Sequence, residues 1–100
     1  NLSTFLETMP KYKIEDLKST IQELIELFEE QNLEHWAEMY KRILFYIDDD
    51  LEYAKYKIQS TIGGMGSMDD IVLYRNGDPL IKENNRLDYL RSKLYVFCES

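Results

Sequence analysis

The sequence predicts an all-α fold, a compact single-domain bundle of about four to five helices that occupies residues 1–100. Apolar side chains recur at intervals of three and four residues, which is typical of amphipathic helices. Three of the four glycines lie within residues 63–66 and mark one sharp turn between helices. A chain of 100 residues with 44% hydrophobic content can bury one core and requires no second domain.

The first predicted helix covers residues 14–30. Its apolar residues form one stripe about 100° wide, which we expect to face the core. The stripe consists of Leu17, Ile21, Leu24, Ile25 and Phe28. On the opposite side Glu23, Glu26 and Glu30 form an acidic outer ridge, with Glu29 at its edge.

The second predicted helix covers residues 33–47, and one residue does not fit its apolar face. The inward positions are Trp36, Tyr40, Ile43, Leu44 and Ile47. Phe45 points the other way, so either the helix is buried on two sides or Phe45 is exposed among charged neighbours. We expect burial, because helices that are apolar all round are usually buried.

The third predicted helix covers residues 50–62, with Leu51, Ala54, Ile58 and Ile62 inward. Tyr53 and Tyr56 lie on its outer side. We expect Asp48, Asp49 or Asp50 to cap this helix, and the remaining acids exceed what capping requires. Such carboxylates beside tyrosines are typical of a protein interface.

The glycine-rich turn, with Gly63, Gly64 and Gly66, is interpreted as a structural loop. We expect the Ser67 hydroxyl to accept from the Asp70 N–H and so to start a helix, with the Asp70 carboxylate near its positive end. A phosphate loop needs bare N–H groups and usually a basic side chain, whereas Asp69 and Asp70 already place negative charge here.

Residues 68–74 are predicted to form two turns of helix that end at a turn over residues 75–79. A hairpin around Asn76-Gly77 is the competing interpretation, and Pro79 and the short arms count against it. The last predicted helix covers residues 84–98. Its inward residues are Leu87, Leu90, Leu94, Phe97 and Cys98.

The charge is concentrated in one half of the chain. The formal net charge is −7; residues 1–50 hold 5 basic and 12 acidic groups, and residues 51–100 hold 7 of each. This field repels nucleic acid and anionic membranes and attracts a basic partner. Solubility alone is the competing explanation of an acidic balance.

No catalytic, cofactor or metal constellation emerges, so we expect no enzyme. His35 and Cys98 are single residues far apart in sequence, and a structural zinc needs four ligands. A small enzyme using His35 stays as an alternative. The lone cysteine and the absence of a membrane-length apolar run predict a cytoplasmic protein without disulfides.

The stretch 63–73 (GGMGSMDDIVL), together with the earlier Glu34-His35-Trp36-Ala37 and a leucine-rich last helix, resembles a family of small bacterial helical domains. These are similar to immunity proteins of contact-dependent growth inhibition and other polymorphic toxin systems. The resemblance covers roughly residues 15–97. It implies a cytoplasmic antidote that binds and blocks a toxin domain, and it carries over no functional residues. Met68 stands where Leu or Phe is expected.

Charge and resemblance together predict binding to a cognate, basic nuclease-type toxin. The residues expected to form the binding surface are Glu23, Glu26, Glu30, Asp48, Asp49, Asp50, Tyr53 and Tyr56. The alternative is a self-associating structural or regulatory module in which Phe45, Tyr53 and Tyr56 are buried across a homodimer axis. The sequence leaves the choice between monomer and homodimer open.

Overall fold

The structure is a computed structural model that describes residues 11–63 and 66–99. It confirms the all-α prediction with four helices: α1 (Lys11–Glu30), α2 (Glu34–Asp49), α3 (Leu51–Thr61) and α4 (Ile81–Glu99). A short 3-10 turn (Met68–Asp70) and a hairpin of two-residue strands, β1 (Tyr74–Arg75) and β2 (Asp78–Pro79), lie between α3 and α4. α1 packs against α2 and α4, and α3 packs against the same two helices.

The core follows the predicted apolar stripes. All five residues of the stripe on α1 are buried, together with Leu27. On α4 the leucines at 87, 90 and 94 are buried, and Phe97 and Cys98 are half-buried as expected. α1 ends in a left-handed turn at Asn32, with φ 60°, and the Leu33 N–H donates to the Phe28 carbonyl at 2.8 Å. This arrangement closes the helix and reverses the chain into α2.

Phe45 corrects the expectation of burial, because its side chain is 66% exposed. Among the described elements, α2 packs mainly against α1 and α3, on the side that carries Ala37, Tyr40, Ile43 and Ile47. No other described helix covers its outer face. An apolar residue on that face therefore stays in solvent, and the helix is amphipathic with one aromatic exception.

The predicted helix at 68–74 is wrong, and the hairpin that the sequence disfavoured is present. Only one 3-10 turn forms before the chain becomes extended. Asn76 and Gly77 have φ values of 55° and 84°, the pair of positive angles that a type I′ hairpin turn requires. Pro79 is tolerated because it pairs with Tyr74 at a position of the hairpin that needs no N–H donor. The next cross-strand bond runs from the Leu80 N–H to the Leu73 carbonyl at 2.9 Å.

Side chains of α4 hold this connection in its extended form. The Arg91 guanidinium donates to the carbonyls of Met68, Asp69 and Ile71 at 2.8, 3.3 and 3.1 Å, and it also pairs with a carboxylate of α4 itself. The Asn84 amide bonds both backbone groups of Leu73, at 2.8 and 2.9 Å, as a neighbouring strand would. These carbonyls are the acceptors that a continued helix would have used.

No described helix is both long and apolar enough to cross a membrane.

Replacing Arg91 tests its role in holding the connection. We expect Arg91→Gln to lower the free energy of unfolding by about 2 to 4 kcal/mol, because three partly buried carbonyls lose a charged donor. Arg86→Gln is the control, since it removes an exposed pair with Glu23 and is expected to cost less than about 1 kcal/mol. Urea unfolding of both variants measures this, and equal losses would contradict the assignment.

Because Tyr40 is buried, we expect the protein to lose stability at high pH. Burial raises the pKa of Tyr40 above 10, although its hydrogen bond with Thr61 acts in the opposite direction. A raised folded-state pKa gives stability that is complete below the unfolded pKa of about 10 and is lost as the pH rises above it, by up to about 1.4 kcal/mol per pH unit. Urea unfolding from pH 8 to 11 measures this loss, and Tyr40→Phe should flatten the slope.

Tyr74→Phe is the matched control, because it also removes one tyrosine hydroxyl but from an exposed ring. If the two phenylalanine variants lose stability along the same slope above pH 10, Tyr40 is not the group responsible.

Candidate functional site

One residue, Asp50, joins α2 to α3. Its N–H donates to the Tyr46 carbonyl at 2.7 Å, which closes α2, and its carboxylate accepts from the Tyr53 N–H at 3.1 Å, which caps α3. Its extended backbone, with φ −154°, breaks the helix between them. One of the three consecutive aspartates caps α3 as predicted. Because the connection has no spare residue, the two helices form a tight hairpin.

Four aromatic rings cross the outer surface of this helical hairpin in a continuous row. Ring centroids are 5.5 Å apart from Phe45 to Tyr46, 4.7 Å from Tyr46 to Tyr53 and 6.1 Å from Tyr53 to Tyr56. Phe45 and Tyr56 are 66% and 62% exposed, and Tyr46 is half-buried between the helices. We call these four residues the aromatic band. Exposed aromatic residues in a row are a feature of protein-binding surfaces.

Opposite charges flank the aromatic band. Asp49, Asp50 and Glu52 lie at the α2–α3 junction on one side and form what we call the acidic edge. Arg42 and Lys57 lie about one helical turn away on the other side and form the cationic edge. Within the described ranges, no side chain of the cationic edge reaches a carboxylate, and Asp49 and Glu52 have no cation partner.

A shallow groove runs between α2 and α3 beside the aromatic band. A depression of about 140 Å³ is lined by Met39, Arg42, Ile43, Tyr46, Tyr53 and Lys57. A second one of about 240 Å³ shares Met39 and Lys57 and continues to the glycine turn. The groove therefore combines an apolar floor with two cationic side chains at its rim.

The predicted acidic ridge of α1 lies on a different side of the molecule. Glu23 is not free, because it pairs with Arg86 of α4. Glu30 lines a groove of about 510 Å³ between α1 and α4, together with Lys82 and Arg86. Glu26 is exposed and forms no ion pair with any described residue. The eight predicted residues therefore do not form one surface: three belong to the α1–α4 side and the others to the α2–α3 hairpin.

Asp48 also has a structural role that the sequence did not reveal. Its carboxylate pairs with the Lys18 ammonium at 2.5 Å and ties α2 to α1. The hydrogen bond to Asp48 raises the pKa of Lys18, against the opposing effect of burial. Of the three consecutive aspartates, one pairs across helices and one caps α3, so Asp49 is the one whose carboxylate has neither role among the described residues.

The glycine-rich turn is held by its own carboxylates. The Asp69 and Asp70 side chains accept from the Gly63 and Gly66 N–H groups at 3.0 and 2.6 Å. Gly63 and Gly66 have φ values of 79° and 77°, which L-residues rarely adopt. The Ser67 hydroxyl accepts from the Asp69 N–H at 3.3 Å and not, as predicted, from Asp70. The N–H groups at 63 and 66 are thus already bonded, and Gly64 lies outside the described residues.

The two residues considered for catalysis lie in unremarkable surroundings. His35 is exposed, with its ring 6.0 Å from that of Trp36. Cys98 is half-buried on α4, and burial raises the pKa of its thiol, which disfavours the reactive thiolate. In the part of the chain that the structure describes, no three His, Cys, Asp or Glu side chains are grouped to hold a metal ion.

Sequence reasoning missed the cationic edge and Tyr46. Neither Arg42 nor Lys57 is among the residues that the sequence predicts for the binding surface. A usable signal was present, since Arg42 lies three and four residues before Phe45 and Tyr46, and Lys57 lies four residues after Tyr53. Their meeting on one surface depends on the hairpin between α2 and α3.

A family model described as a domain of unknown function, DUF6966, matches residues 29–81. The match contains the whole α2–α3 hairpin with the aromatic band and both charged edges, as well as the glycine turn and the β-hairpin. No curated protein and no solved structure matches the chain.

Proposed function

We propose that this chain, which belongs to the DUF6966 family, is an immunity-type protein. It acts in the cytoplasm, where it binds a cognate, basic toxin domain of the nuclease type and blocks it without catalysis. The family description names no activity, and the proposal therefore rests on the surface of the chain itself. The observation that carries it is the exposed aromatic band beside the carboxylates of the acidic edge.

The aromatic band supplies the anchoring part of this surface. Tyrosine and phenylalanine give large contact areas, and a tyrosine loses little side-chain entropy when it is immobilised. Tyr46 and Tyr53 are already held against one another at 4.7 Å, so part of the ordering cost precedes binding. We therefore place the central contacts of the complex at Tyr53 and its neighbours in the band.

The acidic edge supplies charge complementarity. Nuclease domains bind phosphate and carry lysine and arginine around their active sites, and carboxylates without cation partners attract such groups. Asp49 and Glu52 are exposed and have no cation partner among the described residues. The net charge of −7 adds long-range attraction, so the acidic edge should act mainly on the association rate.

The toxin is inhibited because the bound chain covers its active site. A toxin that places its basic active site against the acidic edge can no longer admit its polyanionic substrate. The tight connection at Asp50 limits movement between α2 and α3, so docking orders few additional residues.

The experiment compares charge reversals in a chain that protects cells from a defined toxin. Basic toxin domains encoded beside the chain's own gene are expressed with and without the chain, and growth identifies the toxin that it neutralises. We expect Asp49→Lys/Glu52→Lys to slow association with that domain about tenfold at low salt, and less at high salt, because steering is lost. Biolayer interferometry measures the rates.

The control variant is Asp78→Lys/Glu99→Lys, which changes the net charge equally at exposed residues away from the band. Asp48 and Asp50 are left intact because their carboxylates stabilise the fold. Equal slowing by both variants would mean that the net charge of the chain, and not the acidic edge, sets the association rate. Protection against none of the neighbouring toxins would contradict the immunity function itself.

A further inference from the structure

The surface around the aromatic band is complementary to itself in charge. The cationic edge (Arg42 and Lys57) and the acidic edge lie on opposite sides of the band, and α2 and α3 both cross it. Arg42 and Asp49 are seven residues apart on α2, which is about 10 Å along the helix. Neither side chain has an ion-pair partner among the described residues.

We propose that a second copy of this chain covers the aromatic band when no other partner is bound, in a symmetric dimer whose two-fold axis runs along the band. Rotation about this axis places the cationic edge of each protomer over the acidic edge of its partner. An axis across the band would place like charges together, so charge selects the first arrangement. Each band residue then lies near the same residue of the other protomer.

Both the exposed apolar area and the charge pattern support a second copy. Phe45 is 66% exposed on a helix that is otherwise amphipathic, and burial of such a ring against its symmetry mate removes it from water on both protomers. Each dimer contains the cationic-to-acidic juxtaposition twice. A partner that engages only the acidic edge would leave Arg42 and Lys57 without carboxylates to pair with.

The net charge of −7 on each protomer opposes association over long distances. At physiological ionic strength the Debye length is about 8 Å, so that repulsion is screened more strongly than contacts between the facing edges. The dimer shares its surface with the proposed toxin-binding site, but its test needs no toxin. A dimer can therefore be found or excluded whether or not the chain is an immunity protein.

The test is sedimentation equilibrium of the full chain and of two charge-reversed variants near physiological salt. Wild type should dimerise. Arg42→Glu/Lys57→Glu gives two acidic edges, and Asp49→Lys/Glu52→Lys gives a predominantly cationic surface. Each variant alone should dimerise at least about tenfold more weakly. Mixed in equal amounts they should form a heterodimer, because opposite charges face each other again at both edges.

The matched control is Arg75→Glu/Lys82→Glu, which carries the same net charge as the first variant but changes exposed residues away from the band. It should dimerise about as well as wild type after allowance for the small general repulsion. A monomeric wild type overturns the proposal. So does an equal loss in the control variant, or a mixture that stays monomeric.

A cross-link tests the axis without any charge reversal. In a Cys98→Ser background, Phe45→Cys places one thiol near the two-fold axis, where a short bis-maleimide should join two protomers at high yield. Asp78→Cys, an exposed residue in the β-hairpin, should yield few cross-linked pairs. Equal yields from the two positions would overturn the proposed axis.

Discussion

Asp50 is the constraint on which the candidate surface depends. Its N–H closes α2 and its carboxylate caps α3, so one residue both separates the helices and fixes their approach. This brings Tyr46 and Tyr53, seven residues apart in sequence, to a ring distance of 4.7 Å. A longer or uncapped connection would let the two rings separate and would break the aromatic band in its middle. The fold and the proposed binding surface therefore both depend on Asp50.

The second constraint comes from α4, which holds the connection between α3 and the β-hairpin. The Arg91 side chain donates hydrogen bonds to three carbonyls of that connection, and the Asn84 side chain bonds both backbone groups of Leu73. Tyr95 donates to the Asp69 carboxylate, which in turn accepts from the Gly63 N–H just beyond α3. The end of α3 is thus tied to α4 on the side away from the aromatic band. The hairpin of α2 and α3 is thus held at both ends, and its outer face is exposed.

Local patterns were predictable from the sequence, and distant partners were not. The buried stripe of α1, the aspartate cap and the exposure of Tyr53 and Tyr56 all follow from helical spacing and capping chemistry. The error at 68–74 arose because Arg91, about 20 residues later, takes the carbonyls that a helix needs. Phe45 was misplaced because its exposure depends on whether another element covers α2. Ion pairing of glutamates and aspartates likewise depends on which helices meet.

We expect the aromatic band to be covered when the protein works, by a second copy or by a toxin domain. Hydroxyl-radical footprinting in cells that express the chain with its neighbouring genes tests this most directly. Phe45 and Tyr56 should be oxidised far less in cells than in dilute purified chain. Tyr74 and Tyr89, at 58% and 54% exposure, lie outside the band and should react equally in both. Full reactivity of Phe45 and Tyr56 in cells would contradict the account.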